Sequence, residues 1–139
     1  MATFNTDNWP LIKIIFKDVF NDCDFKTYVK CFNICLNDAK KINKKISLLL
    51  DVRKLNMQSP TILYKQVNFL IENDKLISEV VSSSVILIST PITKSIINFI
   101  FRFKQPKKPN LITLDINEGI KFLKKHNKFL NLLDYKISS

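Results

Sequence analysis

Glycine is almost absent from this 139-residue sequence, in which Gly119 is the only one. Such a chain cannot carry a GxGxxG dinucleotide fingerprint, a P-loop or a nucleophile elbow, because each needs glycine where backbone approaches a phosphate or turns sharply. Histidine is equally scarce, with His126 alone. These absences remove the residue sets for phosphate binding and for serine-histidine chemistry. We therefore predict a protein that is not an enzyme and has no cofactor and no metal site.

Cysteine and uninterrupted apolar segments are also sparse. The three cysteines are Cys23, Cys31 and Cys35, and no two of them form a CxxC pair. The odd count and the lack of a signal peptide at MATFNTDNWP predict free thiols and an intracellular, cytoplasmic location. The most apolar window, 85–103, is interrupted by Pro91 and Lys94. We therefore expect no transmembrane helix.

Arginine is rare, since 20 of the 22 basic residues are lysine, and the net charge is +10. Residues 91–139 hold much of that excess, with 10 basic and 3 acidic side chains. Lysine lacks the bidentate fork of arginine, so it suits diffuse contact with phosphates or acidic surfaces more than the reading of base edges. The abundance of Lys, Asn, Ile and Phe also indicates an AT-rich genome, such as that of a large DNA virus, a protist or a low-GC bacterium.

What the sequence does contain is a regular alternation of strand and helix patterns. Short β-branched or apolar runs at 10–17, 44–52, 83–89 and 111–114 predict four strands. Helices are predicted to begin near Asp22, at Ser59-Pro60, at Thr90-Pro91 and after Asp115. The order β-α-β-α-β-α-β-α predicts an α/β fold, with a largely parallel four-stranded sheet and helices packed on it, in a single domain over 1–139.

This pattern resembles the STAS-like family, typified by bacterial anti-sigma-factor antagonists and their lipid-binding-like relatives. The likeness lies in the element order, the length, the DVRKL ending of the second predicted strand and the final LITLDINEGIKFLKKH strand-helix pair. It spans about residues 9–126 and leaves 127–139 as a C-terminal tail. The resemblance implies a domain that works by binding protein partners.

Some members of the family are switched by phosphorylation at the start of the second helix, where the familiar motif is Asp-Ser-Ser-Gly. This chain has NMQSP (56–60) there, so Ser59 alone matches by location and is the phosphoacceptor that the resemblance implies. From the residues themselves, Ser59 is a helix N-cap, a phosphoacceptor or a nucleophile.

Asp51 ends the predicted second strand, where α/β proteins often bind ligands. Its expected partner is Arg53 or a backbone amide of the following loop. A magnesium site shared with Asp18, Asp22 and Asp24 is the alternative. Helix capping by Asp22 or Asp24 explains the same residues without a metal.

The predicted third helix, 91–103, has an unusually wide apolar arc of about 200°. Ile96, Phe99 and Phe103 form its predicted core stripe, and the remaining arc is formed by Ile97, Ile100 and Phe101. Either the tail segment FLNLLDY (129–135) covers this second side, or these three residues offer an interface to a protein partner or to a second copy.

A lysine surface is the other candidate site, and its predicted members are Lys104, Lys107, Lys108, Lys121, Lys124, Lys125 and Lys128. It is either a solvated face or a binding patch for an anionic partner. The leading hypothesis is a non-enzymatic STAS-like interaction or scaffold module, and a virion or assembly component if the genome is viral. The alternative is a basic surface-binding protein for nucleic acid or anionic lipid.

Overall fold

A five-stranded mixed sheet forms the centre of the computed structural model, which describes residues 1–132 and their side chains as far as Leu130. The strands are β1 (Ala2–Asn5), β2 (Leu11–Asp18), β3 (Ile46–Leu55), β4 (Val81–Leu87) and β5 (Asn110–Thr113), side by side in sequence order. β1 runs antiparallel to β2, and the other neighbours are parallel. The predicted α/β class is confirmed. The expected count of four strands is wrong by one, because the four residues of β1 are too few for a clear period-two signal.

Five α-helices connect or follow the strands. They are α1 (Asp22–Lys41), α2 (Pro60–Glu72), α3 (Asp74–Val80), α4 (Pro91–Phe103) and α5 (Ile116–His126), and a 3₁₀-helix follows at Lys128–Leu132. The predicted starts of α2 and α4 are confirmed, since Ser59 and Thr90 are their N-caps and proline follows each. The short α3 was not predicted. Asn73 ends α2 and begins α3, so one apolar stretch contains two helices.

The helices lie in two layers, and β3 shows how the sequence builds both. On one face of the sheet, Leu48 joins a core cluster with residues of α1, α2 and α3, and β4 contacts α4 there through Ile86. On the other face, Leu49 packs with Leu123 of α5. The expectation that this strand is buried on both faces is therefore confirmed. We call these the four-helix face and the α5 face.

Gly119 allows α5 to lie very close to β4. A Cβ atom at this position would stand 2.8 Å from Cγ1 of Val85, which is closer than van der Waals contact allows. The only glycine of the chain is thus required by a close approach of helix to strand rather than by a turn.

The start of the C-terminal tail packs on the α5 face. Leu130 is fully buried in the cluster that contains Leu49 and Leu123. Asn127 Nδ2 donates a 3.0 Å hydrogen bond to Ser47 Oγ at the start of β3. This part of the tail therefore lies on the face opposite α4 and does not cover that helix. Residues 133–135 of the proposed covering segment are outside the described residues.

Candidate functional site

Asp51 is held by Arg53 on the α5 face of the sheet. Asp51 Oδ1 accepts a hydrogen bond from Arg53 Nε at 2.9 Å, and Oδ2 accepts one from Nη2 at 2.8 Å. The backbone N–H of Arg53 also donates to Oδ1, at 3.1 Å. Burial tends to raise the pKa of the Asp51 carboxyl, but these hydrogen bonds and the charges of Arg53 and Lys13 outweigh it and hold the pKa below its usual value. The expected partner Arg53 is therefore confirmed, and the backbone amide that also donates is its own, within β3, which continues past Asp51 to Leu55.

The neighbouring aspartates are engaged separately. Asp22 Oδ1 accepts from Lys65 Nζ at 2.7 Å, and this hydrogen bond lowers the pKa of Asp22. Asp24 forms a capping box with Asn21, the N-cap of α1. Within residues 1–132, no group of three or more His, Cys, Asp or Glu side chains is arranged to hold a metal ion. Capping and ion pairing therefore account for Asp51, Asp22 and Asp24 of the suggested magnesium site, and Asp18 is exposed at the end of β2.

Ser59 begins α2 as an exposed N-cap, and its hydroxyl accepts from the backbone N–H of Ile62 at 3.2 Å. His126 ends α5, beside the Asn127–Ser47 contact at the start of β3, whereas Ser59 follows the end of that strand. The two residues thus lie at opposite ends of the parallel strands, and His126 cannot activate Ser59. The residue before Ser59 has a larger structural role. Gln58 is buried and hydrogen-bonds to the β2–α1 connection.

The predicted interface on α4 is wrong in its orientation. Ile97 and Ile100 are buried, with 6% and 8% of their surface exposed, and Phe101 is half-buried. Ile97 packs on Val52 and Ile86 of the sheet. Ile100 joins a core cluster with Leu63 and Val67 of α2. The periodicity gave the width of the apolar arc but not the direction in which it faces.

The rings of Phe99 and Phe103 on α4 face outward and contact α2. Tyr64 contacts Phe99 and Phe103 with ring centroids 5.4 and 5.6 Å apart, and the two phenylalanine rings are 5.2 Å apart. Ile92 lies on the same side of α4, because positions 92, 99 and 103 follow the helical repeat. Tyr64, Ile92 and Phe103 are each nearly half exposed, at 48%, 48% and 47%. We call Tyr64, Ile92, Phe99 and Phe103 the aromatic face.

The lysines of the predicted patch differ in how freely they can bind. Lys104 and Lys107 both pair with Asp74 at the start of α3, and these two hydrogen bonds lower the pKa of its carboxyl. Lys108 is exposed and outside the ion pairs found in the described part of the chain. On α5 and just after it, Lys121, Lys125 and Lys128 are exposed, and Lys124 is half-buried. The loop before β5 and the end of α5 both lie at the end of the sheet where the parallel strands begin. We call this end the amino edge.

A cavity of about 180 Å³ lies between the four-helix face of the sheet and α2. Its walls include Leu48, Leu50 and Ile86 from the strands and Ile62 and Leu70 from α2. Tyr28 and Gln66 also line it, but the hydroxyl of Tyr28 accepts from Gln66 Nε2 at 3.0 Å, and burial raises the pKa of that hydroxyl. These two polar groups of the wall are thus paired with each other.

The cavity opens at the amino edge. Among the residues that line it, the exposed ones are the four of the α4–β5 loop, 105–108. Lys104 and Asp74 stand at the same opening.

Two solved structures have the same overall fold over nearly all of this chain. One is a protein of the DUF3478 family from Shewanella loihica PV-4, described as having a SpoIIAA-like fold, with a TM-score of 0.65 and 10% sequence identity over 88% of this chain and 92% of its own. The chain has a STAS-like fold. The other is an anti-sigma factor antagonist from Mycobacterium paratuberculosis, with a TM-score of 0.61 and 10% identity over 89% and 93% of the two chains.

The likeness confirms the STAS-like fold predicted from the sequence. No protein-family model and no curated protein matches the chain by sequence. At 10% identity the two structures establish the fold and leave the function to be argued from this chain's own surfaces. None of the helices in residues 1–132 has the length and hydrophobicity needed to cross a membrane.

Three features of these sites were not predicted. The structural role of Gln58 was not predicted, because an isolated glutamine in a loop belongs to no periodic pattern. Phe99 and Phe103 of the aromatic face are predicted as core from the sequence, because their helical spacing places them on one stripe with Ile96. The cavity depends on the spacing between a helix and a sheet, which no local pattern encodes. The helical spacing of Ile92, Phe99 and Phe103 was the one available signal for the second feature.

Proposed function

We propose that the chain is a non-enzymatic interaction module that binds an acidic protein partner through the aromatic face. The observation that carries the proposal is the exposure of this face, where Tyr64 and Phe103 keep nearly half of their surface in solvent. Aromatic side chains grouped on a surface are typical anchors of protein interfaces, since they bury a large area at small cost in conformational entropy.

The charge around the face favours an acidic partner. α4 contains no acidic residue, and Arg102, next to Phe103, is exposed and outside the ion pairs found in residues 1–132. A second copy of the chain is disfavoured as the occupant, because two molecules of net charge +10 repel each other. The STAS-like fold supports a protein partner, since one of the two similar structures is an anti-sigma factor antagonist, named for its action on another protein.

A selection from a displayed random-peptide library would test the recognition chemistry directly. Wild-type protein serves as bait, and the Phe99→Asp/Phe103→Asp double variant is used for counter-selection. We expect the selected peptides to combine acidic residues with apolar anchors. Their Kd should rise at least about tenfold on the double variant. Ile34→Asp is the matched control, because Ile34 is an exposed apolar residue of a helix, α1, that has no part in the aromatic face.

Peptides that bind the double variant as tightly as the wild type would refute the aromatic face as the binding surface. Selected peptides without acidic residues would refute the acidic nature of the partner. Light scattering at low and high salt tests whether a second copy of the chain occupies the aromatic face instead. A salt-resistant dimer that the double variant abolishes would mean that a second copy, and not an acidic partner, occupies the face.

The exposed lysines on and after α5 support a second candidate, a basic surface for nucleic acid or anionic lipid. Lys121, Lys125 and Lys128 project from the α5 side of the chain, away from the aromatic face. Binding to a short DNA duplex or to anionic vesicles should weaken steeply with salt if counterion release drives it. A Lys121→Glu/Lys125→Glu variant should then lose most of the affinity, and salt-independent binding would contradict this candidate.

Ser59 remains our proposed phosphoacceptor. A phosphate there would stand at the N-terminus of α2, where the helix dipole and free backbone N–H groups favour negative charge. The cytoplasmic location, the scaffold role and the virion or assembly role in a viral source also remain proposals that follow from the sequence. Mass spectrometry of the protein from its native source would detect a Ser59 phosphopeptide or contradict the switch.

A further inference from the structure

Positive charge is concentrated at the amino edge of the sheet. The loops that lead into β2, β3 and β5 contain five lysines and one acidic residue, Asp7. The connections that leave the opposite ends of β2, β3, β4 and β5 contain one charged residue, Asp115. The loops of the first group are 6–10, 42–45 and 104–109, and the connections of the second are 19–21, 56–59, 88–90 and 114–115. The lysine excess of the connecting segments therefore lies at one end of the strands.

The ends of two helices extend this charge. α1 ends with Lys40 and Lys41, and α5 has Lys124 and Lys125 in its last turn. The negative end of a helix dipole stabilises cations at such positions, but the effect falls off within one turn. It explains these four side chains but not the lysines of the loops that lie beyond the helices.

The loop 42–45 and the segment after α5 form one continuous surface. Asn127 Nδ2 donates a hydrogen bond of 3.4 Å to the backbone oxygen of Lys45. Lys44 Nζ lies 5.4 Å from the centroid of the Phe129 ring. Two segments that are remote in sequence therefore present their lysines side by side.

Some lysines of this edge already have partners within residues 1–132. Lys40 pairs with Glu79, and Lys45 donates to the backbone oxygen of the same residue. Asp74 holds the two lysines described above. The other exposed lysines of these loops and helix ends are Lys41, Lys44, Lys108, Lys125 and Lys128, which we call the amino-edge lysines. Their positive charge is not balanced by an ion pair in the described part of the chain.

Phe129 places an exposed ring among these lysines. The residue is 49% exposed and follows Lys128 directly. An aromatic ring beside ammonium groups suits a single-stranded nucleic acid, since a base stacks on the ring while the lysines contact the phosphates. A duplex keeps its bases stacked inside and cannot use the ring. A membrane surface is disfavoured, because the ring would enter hydrocarbon together with the ammonium group of Lys44 that lies over it.

We propose that the amino edge binds single-stranded nucleic acid without sequence preference, with the phosphates at the amino-edge lysines and one base stacked on Phe129. This assignment rests on the second candidate function, a basic surface, and specifies what that surface binds. It is independent of the aromatic face. Lysine lacks the planar fork with which arginine reads guanine, so the phosphates and the stacked base account for the affinity, whatever the base.

Fluorescence anisotropy with a labelled oligothymidylate of about twelve nucleotides tests the site. We expect the logarithm of the binding constant to fall with the logarithm of the salt concentration with a slope of about −3 to −4, because each of five phosphate contacts contributes about −0.7. Phe129→Ala should raise the Kd for this strand about tenfold. It should change the Kd for an abasic strand of the same length, or for a duplex, by less than about twofold. Phe129→Tyr keeps a ring and should bind the strand as the wild type does.

Two charge variants separate the amino edge from the general positive charge. Lys44→Glu/Lys128→Glu should raise the Kd for the oligothymidylate at least about tenfold. Lys26→Glu/Lys94→Glu changes the net charge by the same amount and should raise this Kd by less than about threefold. Lys26 and Lys94 are exposed near the starts of α1 and α4, at the other end of the strands, and the ten residues of β3 span about 30 Å. Equal losses in the two variants would overturn the assignment.

Three other results would overturn the proposal in different ways. An unchanged Kd for the strand in a folded Phe129→Ala would remove single-stranded nucleic acid as the ligand and leave the second candidate function standing. Binding to phosphatidylglycerol vesicles but not to the strand would favour a membrane surface. No binding to strand, duplex or vesicles would refute the second candidate as well.

Two further comparisons keep the result unambiguous. If Phe129→Ala does not fold, the comparison of the two charge variants decides. Phe99→Asp/Phe103→Asp should leave the Kd for the oligothymidylate unchanged, so failure of the nucleic-acid site and failure of the aromatic face are distinguishable.

Discussion

The side-chain oxygen of Gln58 accepts a 2.8 Å hydrogen bond from the backbone N–H of Phe20. The amide nitrogen of Gln58 donates to the carbonyls of Asp18 and Asn56, both at 2.8 Å. One buried side chain thus joins the β2–α1 connection to the β3–α2 connection. It also holds Asp18 in the left-handed region, at φ 60°.

We expect Gln58→Ala to lower the free energy of unfolding by about 2–4 kcal/mol, because the buried N–H of Phe20 and the carbonyl of Asn56 lose their side-chain partner. The carbonyl of Asp18 keeps its hydrogen bond from the backbone N–H of Asn56. Urea denaturation followed by circular dichroism measures the change. Asn56→Ala is the matched control and should change stability by less than about 0.5 kcal/mol, because its exposed side chain lies in the same loop. A loss below about 1 kcal/mol for Gln58→Ala would contradict the bridging role.

The close approach of Gly119 to Val85 gives a second prediction. Alanine favours helices over glycine by about 1 kcal/mol, yet we expect Gly119→Ala to destabilise the protein by about 1–3 kcal/mol because its methyl group overlaps Val85. Thermal unfolding would measure the change. Adding Val85→Ala should recover about 1 kcal/mol relative to the sum of the single changes. A stabilised Gly119→Ala variant would show that α5 can move away from β4 freely.

Asp51 should make the stability depend on pH on the acid side. Burial opposes ionisation, but Arg53 holds the folded-state pKa below its ordinary value, so the stabilisation is present above the unfolded-state pKa and is lost as pH falls through the folded-state pKa. We expect Asp51→Asn to be less stable than the wild type by about 1–3 kcal/mol near neutral pH.

Denaturation curves of both proteins across a pH series test this prediction. The stability difference should narrow as pH falls below about 4, because the Asp51 carboxyl is protonated first in the unfolded state and, at lower pH, in the folded state as well. Asp22 and Asp74 also have lowered pKa values and affect both proteins alike, so the difference isolates Asp51. A difference that stays constant down to about pH 2 would contradict the ion pair with Arg53.

Leu130 should contribute to the core although it lies beyond the last α-helix. Leu130→Ala leaves a cavity on the α5 face and should lower the free energy of unfolding by about 2–4 kcal/mol. Its neighbour Phe129 is half exposed and packs under Lys44, so Phe129→Ala should cost about 1 kcal/mol or less. Equal losses in the two variants would mean that the 3₁₀-helix is not docked as described.

The sequence by itself determined the element order and most element positions. Short β-branched runs favour strands, and the Ser-Pro and Thr-Pro pairs favour helix starts. Both act through interactions among neighbouring residues, so they can be recognised from the sequence alone. The alternation of strands and helices then restricted the fold to a largely parallel sheet with covering helices, and the STAS-like fold was predicted from the resemblance to that family. The Asp51–Arg53 pair could also be predicted from the sequence, because residues two apart on a strand share a face.

Tertiary structure decided which surfaces are available. The apolar arc of α4 is as wide as its periodicity indicates, but only contact with Val52 and Ile86 turned Ile97 inward and left Phe103 outside. The role of Gln58 depends on two loops 38 residues apart. The cavity depends on the distance between α2 and the sheet, and the lysines at its opening come from a loop remote in sequence from β3 and α2. Such contacts arise from packing between distant segments, and no local pattern of residues specifies them.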